Sequence, residues 1–305
     1  MNLLQRRIRQ RRRRILRQRR IRQRRIRQRQ RRRIIRLQRL NNRPINNRYA
    51  LLTGINYVKT PRYALNGCIN DIKNVSKFLQ TRGFSSENIV SLSDELNETD
   101  ELNETVETDE TNLLPTKANI LEQLKQMLVR AQRNDMLFFH YSGHGGQVRD
   151  RNGDERDGLD ECIYSCRLEV VTDDELKAVI RRYLKHHVTL VCLIDSCNSG
   201  TALDLRFNLK NNNARYMLRQ QVPTRGSVYM LSGCKDNQLS ADAYFGNQTG
   251  FGGAMTTAFL KSYATGESWL RLLNRMRWWL KQRRFTQIPQ LSSGRDFLVR
   301  GKNRI

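Results

Sequence analysis

From residue 49 onward the sequence alternates short, uninterrupted apolar runs with longer amphipathic stretches, and this alternation limits the fold more than any other property. The runs lie at 49–55 (Tyr-Ala-Leu-Leu-Thr-Gly-Ile), 89–92, 136–141, 188–194 and 228–231. Apolar residues at consecutive rather than alternate positions are the mark of a strand buried on both faces. Helical periodicity falls at about 69–82, 117–132, 174–185, 253–263 and 268–283, with Gly83 suited to cap the first. Strands alternating with helices predict an α/β fold, a mostly parallel central sheet flanked by helices on both faces.

Charge divides the chain in two. Lys plus Arg total 56 against 29 Asp plus Glu, a net charge of +27, yet residues 1–48 hold 22 Arg with no Lys and no acid. The remainder carries 34 bases and 29 acids and is nearly neutral, which excludes a chain that is basic throughout. The expected organisation is an Arg-rich low-complexity arm, 1–48, and one domain, 49–305, with an acidic loop insertion at 94–111. In the arm, Arg-Ile-Arg-Gln-Arg recurs at 7, 20 and 25, its Ile and Leu residues do not keep to one helical face, and its guanidinium groups repel one another. It is predicted to be disordered and to bind nucleic acid or another polyanion; a merely solvated tail is the alternative. The insertion repeats Asp-Glu-Leu-Asn-Glu-Thr at 94 and 100 and has nine acids and no base.

No stretch approaches the length of a membrane span, and no short apolar core of the kind a secretion signal carries follows the basic start. Six Cys, at 68, 162, 166, 192, 197 and 234, lack metal-type pairing in a chain long enough to need no stapling. The expected location is therefore a reducing, cytoplasmic compartment without membrane contact or secretion, with nuclear targeting through the arm as a further possibility.

In an open parallel sheet, ligands bind at the carboxyl ends of the strands. The third run ends in Ser142-Gly143-His144-Gly145-Gly146, and the fourth in Asp195-Ser196-Cys197-Asn198-Ser199-Gly200. A Cys and a His at one sheet edge are suited to act as thiol nucleophile and proton acceptor, and acyl transfer from a peptide bond is the natural reaction. The duller alternatives are a hydrogen-bonded structural His and a buried filler Cys. His140 lies within the third run, His186 and His187 precede the fourth, and Cys192 is inside it, so none of these fits the role.

The segments His-Tyr-Ser-Gly-His-Gly-Gly at 140–146 and Asp-Ser-Cys at 195–197 resemble the metacaspases, caspase-like cysteine peptidases, of the type without a long linker between the catalytic segments. The likeness continues through Gly-Ile-Asn-Tyr at 54, Asn-Gly-Cys-Ile-Asn-Asp at 66, Pro-Thr-Lys-Ala-Asn at 115, Asp-Gly-Leu-Asp-Glu at 157, Leu-Ser-Gly-Cys-Lys-Asp-Asn-Gln at 231 and Pro-Gln-Leu-Ser-Ser-Gly at 289. The resemblance implies a caspase-hemoglobinase fold in which Cys197 attacks the scissile carbonyl, His144 carries the proton, and the backbone N–H groups of Gly145 and Cys197 bind the oxyanion. It implies cleavage after Arg or Lys, with Asp71, Ser142 and Asp195, and Cys68 nearby, forming the substrate pocket. Read from the residues alone, Asp71 is an exposed first-turn helix residue and Asp195 a loop-orienting carboxylate.

The resemblance further implies calcium activation, the metal held by Asp160, Asp173, Asp174 and Asp204. Hard oxygen donors of this kind suit Ca2+. A rival calcium loop from Asp150 to Glu161 is weak, because its sixth position is Glu155 where Gly is required. Two departures from the family pattern stand out: Asn198 where His commonly follows the nucleophile, and an Arg polymer for an extension usually rich in Pro, Gln or Gly. The expectation is a monomeric, calcium-activated and self-processing endopeptidase acting on protein substrates. The alternative is a catalytically silent caspase-like domain whose arm binds nucleic acid.

Overall fold

Alternate residues of a strand point to opposite sides of its sheet, so a continuous apolar run feeds two cores at once. In β1 (Arg48–Gly54), Ala50 and Leu52 enter one buried cluster while Leu51 enters the other. The same division separates Met136 and Phe138 from Leu137, Phe139 and Tyr141 in β3 (Met136–Ser142), and Val191 and Leu193 from Leu190, Cys192 and Ile194 in β7 (Thr189–Asp195). The first cluster is closed by the apolar faces of α1 (Cys68–Gln80), α4 (Ala254–Ser262) and α5 (Trp269–Gln282), the second by α2 (Lys117–Arg130) and α3 (Asp173–Tyr183).

A computed structural model of the 305-residue chain describes residues 23–24, 28, 44–95, 113–150, 153, 158–196, 203, 205–209, 215–217, 222–233, 242–244, 251–295, 303 and 305. The chain separates into two units, Met1–Arg43 and Pro44–Ile305. Of the first, only Gln23, Arg24 and Gln28 are described, all helical and exposed, so the expectation for the arm lies outside the described residues. So does the acidic insertion beyond Glu95.

In the second unit an eight-stranded sheet runs in the order β2-β1-β3-β7-β10-β13-β8-β9. Its parallel part joins β2 (Ile89–Ser93), β1, β3, β7 and β10 (Ser227–Ser232). This is the mixed α/β arrangement read from the apolar runs. The sheet then continues with the antiparallel strands β13 (Gln290–Ser293), β8 (Phe207–Leu209) and β9 (Arg215–Met217). These short strands, among them Gln-Leu-Ser-Ser, carry too little apolar pattern to be recognised alone.

A separate antiparallel sheet is formed by β4 (Gly145–Arg149), β5 (Leu159–Tyr164) and β6 (Val170–Thr172). It sets a strand on either side of the rival calcium loop that begins at Asp150, where a helix–loop–helix calcium site has helices, which removes that weak reading. A two-stranded piece pairs β11 (Asp242–Tyr244) with β12 (Phe251–Gly253). Among the described residues no helix is long and apolar enough to cross a membrane.

Two buried carboxylates fasten strand ends. Asp135 accepts from the backbone N–H of Asn47 (3.0 Å) and Gln132 (2.7 Å), aligning the starts of β1 and β3. Asp94, assigned above to the acidic insertion, is instead buried at the end of β2 and accepts from the N–H groups of Asn56 (2.8 Å) and Val58 (3.1 Å). Two donors that would otherwise be unpaired outweigh the residue's acidic neighbourhood in sequence.

His140 in β3 is fully buried, and its Nδ1 lies 2.9 Å from the Leu193 carbonyl oxygen. A carbonyl only accepts, so Nδ1 carries the proton, and burial lowers the pKa to about 4 despite that hydrogen bond. Because the folded value lies below the ordinary one, this stability is full above about pH 6.5 and lost as pH falls toward 4. We expect wild-type unfolding free energy to drop across that window by about 3 kcal/mol from this group. His140→Phe should flatten the drop in denaturant titrations at stepped pH, and an unchanged slope would assign it to other groups.

Candidate active site

Parallel pairing sets Ser142, the last residue of β3, opposite Asp195, the last residue of β7. In sequence, His144 and Cys197 therefore each follow a paired position by two residues, on neighbouring strands. The bond from Gly143 N–H to the Asp195 carbonyl (3.3 Å) carries the contact one residue further. Cys197 itself lies outside the described residues, as does Asn198; Ser196 immediately before them is buried.

His144 is fixed by tyrosines. Its backbone N–H donates to Tyr57 Oη (2.9 Å), its carbonyl accepts from Tyr141 Oη (2.7 Å) and Tyr164 N–H (3.1 Å), and the two hydroxyls lie 3.1 Å apart. Burial raises both Tyr57 and Tyr141, so they remain neutral hydroxyls able to donate and accept. The Tyr57 ring lies 4.6 Å from the imidazole, centroid to centroid. Gly143 is required here, since a Cβ would come within 2.6 Å of Tyr141 Oη.

The imidazole Nε2 lies 2.7 Å from the Tyr63 carbonyl oxygen. That acceptor places the ring proton on Nε2 and leaves Nδ1 as the basic nitrogen. The carbonyl of a trans peptide opposes its N–H, so with the His144 oxygen turned toward Tyr141 and Tyr164, the Gly145 N–H is directed away from that cluster.

A second group assembles around the N-terminus of α4. Asp71, in the first turn of α1, is 2 % exposed and accepts from Ser142 Oγ (2.7 Å) and from the Gly253 N–H (2.9 Å to Oδ2, 3.0 Å to Oδ1). Asp195 is equally buried and accepts from the Thr256 N–H at 2.7 Å. A Cβ at Gly253 would overlap Asp195 Oδ2 and lie 2.7 Å from Asp71 Oδ2. Both carboxylates thus converge on one glycine, stabilised by N–H groups that a helix start leaves unpaired and by the positive end of its dipole. The exposed-helix reading of Asp71 is thereby corrected: α1 turns this face inward against β3 and β12. Cys68 opens α1 one turn earlier, buried, its N–H donating to Asn56 Oδ1 at 3.0 Å.

The four expected calcium acids are divided by what the structure describes. Asp160 in β5 and Asp173 at the start of α3 are both buried, and both negative charges raise the Cys162 thiol, after the larger effect of its burial. Cys162 pairs with Thr172 across β5 and β6, which carries Asp173 and Asp174 toward the Asp160 end of the strand. Asp174 is partly exposed, 3.4 Å from Lys177 Nζ. Asp173 and Asp174 also serve α3 locally, as first-turn acids beside the capping box of Thr172 and Glu175. Asp204 lies outside the described residues, and among those described no three metal-binding side chains gather at one point.

Residues 48–206 match the family described as metacaspase, peptidase C14 domain. The chain belongs to the metacaspase family of cysteine-type endopeptidases. It is 37 % identical over 297 residues to Metacaspase-1 of Meyerozyma guilliermondii, an alignment covering 80 % of this chain and 68 % of the relative. It is 35 % identical over 301 residues to Metacaspase-1 of Saccharomyces cerevisiae, covering 81 % of this chain and 66 % of that one. The chain therefore spans about two thirds of the length of these relatives. Among solved structures, a protein of Geobacter sulfurreducens superposes with a TM-score of 0.57 at 23 % identity, covering 85 % of this chain and 98 % of that one. Caspase-1 from Spodoptera frugiperda gives 0.51 at 13 % identity, covering 83 % and 90 %. The latter likeness supports a caspase-like fold.

Within this metacaspase domain the residues that inspection of strand ends overlooks are Gly253, Thr256, Tyr57, Tyr63, Tyr141 and Tyr164. Gly-Ile-Asn-Tyr at 54 marks Tyr57, but no local signal ties the start of α4 to Asp71, which lies 182 residues away.

Gly253→Ala should cost about 1–3 kcal/mol as an overpacked site, read as a lowered denaturation midpoint; full stability would show that the two carboxylates separate freely. Tyr57→Phe should leave the His144 N–H without its acceptor and cost about 1–3 kcal/mol. Thermal unfolding tests this, and unchanged stability would indicate a substitute acceptor.

Proposed function

We propose that this chain is a calcium-activated cysteine endopeptidase that cleaves after Arg or Lys and processes itself. The observation that carries the specificity is the convergence of two buried carboxylates, Asp71 and Asp195, beside the strand ends that lead to His144 and Cys197. A guanidinium or ammonium entering this corner meets a doubly negative site in a low-dielectric wall. An Asp side chain there would be repelled.

In the proposed reaction His144 Nδ1 takes the Cys197 thiol proton, and the thiolate attacks the scissile carbonyl carbon. The Gly145 and Cys197 N–H groups hold the resulting oxyanion. His144 then protonates the leaving amine as the C–N bond breaks, leaving a thioester that water hydrolyses with His144 as base. The Tyr63 carbonyl stabilises the imidazolium formed between these steps. Burial pushes Cys166 up to about 11 and raises Cys192 further, which leaves both as poor nucleophiles.

Asp160 and Asp173 offer buried carboxylate oxygens and Asp174 a partly exposed one, a donor set suited to a hard cation, and Asp204 would complete it. Calcium bound there would neutralise like charges and hold the loops together. The 22 Arg of residues 1–48 are potential self-cleavage sites and also suit a polyanion such as nucleic acid.

The test is hydrolysis of fluorogenic peptides ending in Arg, Lys or Asp, with and without millimolar calcium. Cleavage after Arg or Lys that requires calcium and vanishes in Cys197→Ala, but not in Cys192→Ala, is the expected result. Asp71→Asn should reduce kcat/KM for Arg peptides by about 10-fold or more while leaving a folded protein. Asp204→Ala should raise the calcium requirement. Silence from folded protein under every condition would overturn the peptidase reading and leave the arm-bearing, catalytically silent domain in its place.

A further inference from the structure

A tryptophan held out in water on a helix that already buries two others needs a reason. Trp269 and Trp279 of α5 are 3 % and 8 % exposed, whereas Trp278 is 63 % exposed, the most exposed large apolar side chain among the described residues. The apolar face of α5 is spent on the core through Trp269, Leu272, Leu273, Met276, Trp279 and Leu280. On the opposite face, Arg271, Arg275 and Trp278 follow one another at intervals of four and three residues, and Lys281 lies one further turn along. Such spacing puts all four on one side, over about 15 Å of helix.

The charge of this surface is one-sided. Helix α5 itself, residues 269–282, carries four bases and no acid. Glu267, just before the helix, pairs with Arg275 at 3.1 Å, and Arg283 stacks over Trp279 at 4.0 Å. This patch belongs to the nearly neutral part of the chain, so the basic character of residues 1–48 does not account for it.

We infer that the outer face of α5 binds single-stranded nucleic acid, with Trp278 as the stacking platform for a base and Arg271, Arg275 and Lys281 as contacts to the flanking phosphates. Aromatic faces interleaved with cations along one track are what a single strand requires, since every base has a π-face and every link a negative charge. An acidic peptide would pair the cations and leave the indole without a partner. A membrane surface would need a wider apolar face than one indole, and the apolar face of this helix is buried. The site is separate from the corner formed by Asp71, Asp195 and His144, and it does not depend on the proposed peptidase reaction.

The full chain is used, with acrylamide quenching of tryptophan fluorescence as the readout, because Trp269 and Trp279 are already shielded and the signal reports Trp278. Saturating oligothymidylate is expected to lower the quenching constant by about twofold. Trp278→Ala should lose that protection and Trp278→Tyr keep ligand-dependent protection of a neighbouring probe placed at Gln282→Cys. Replacing Arg271, Arg275 and Lys281 together by Gln should make the salt dependence of binding shallower by about two logarithmic units per decade, at about 0.7 per phosphate contact. Binding that saturates by anisotropy of a labelled strand while acrylamide access stays unchanged would overturn the inference and leave the nucleic acid on residues 1–48 alone. Equal protection by inorganic polyphosphate would also overturn it, since no base would then be recognised, and stronger protection by phosphatidylserine vesicles would assign the face to a membrane.

Discussion

The parallel pairing of β3 with β7, with Ser142 set opposite Asp195, is the constraint on which the rest of the site depends. It brings two loops 53 residues apart in sequence to one sheet edge and sets their departure points in register. The pairing is held in turn by the two cores on either side of the sheet, to which alternate residues of both strands contribute. A slip by one residue would exchange the two faces of β7 and move Asp195 away from Thr256 and Gly253. The site geometry and the core are therefore specified by the same contacts.

Around that edge the structure uses two different means of holding polar groups in a dry place. His144 is positioned by neutral hydroxyls and a backbone carbonyl, which orient the ring and select its tautomer without adding charge. Asp71 and Asp195 are held by N–H groups at the start of α4, where a helix end offsets the cost of burying two carboxyl groups side by side. The first arrangement suits a proton carrier that must change charge. The second keeps two carboxylates in place through backbone donors. The small antiparallel sheet connects a third region, since Gly146 pairs with Cys162, and Cys162 with Thr172 beside Asp173. Any cation held by those acids is one strand away from the Gly-rich loop after His144.

Much of the parallel sheet was legible because double burial leaves a strong local trace. All five apolar runs became strands of the central sheet, and all five amphipathic stretches became helices. The antiparallel strands at 207–209, 215–217 and 290–293 were not legible, since three or four residues hold no periodicity and their partners are distant in sequence. Asp94 illustrates the opposite error, a residue misassigned by its composition and claimed by the backbone donors of Asn56 and Val58.

Contiguous residues specify the parallel strands and the helices, the separation of an Arg-rich segment from a nearly neutral remainder, and the motif segments around His144 and Cys197. That Asp71 is buried rather than exposed, that Gly253 sits between it and Asp195, and that the Tyr63 carbonyl accepts a hydrogen bond from His144 Nε2–H arises only in the folded chain. Those facts depend on helices and loops packed against one sheet edge from positions far apart in the chain. Local propensity carries no record of such contacts, since they form only when burial brings the distant groups together and leaves each polar atom to find a partner.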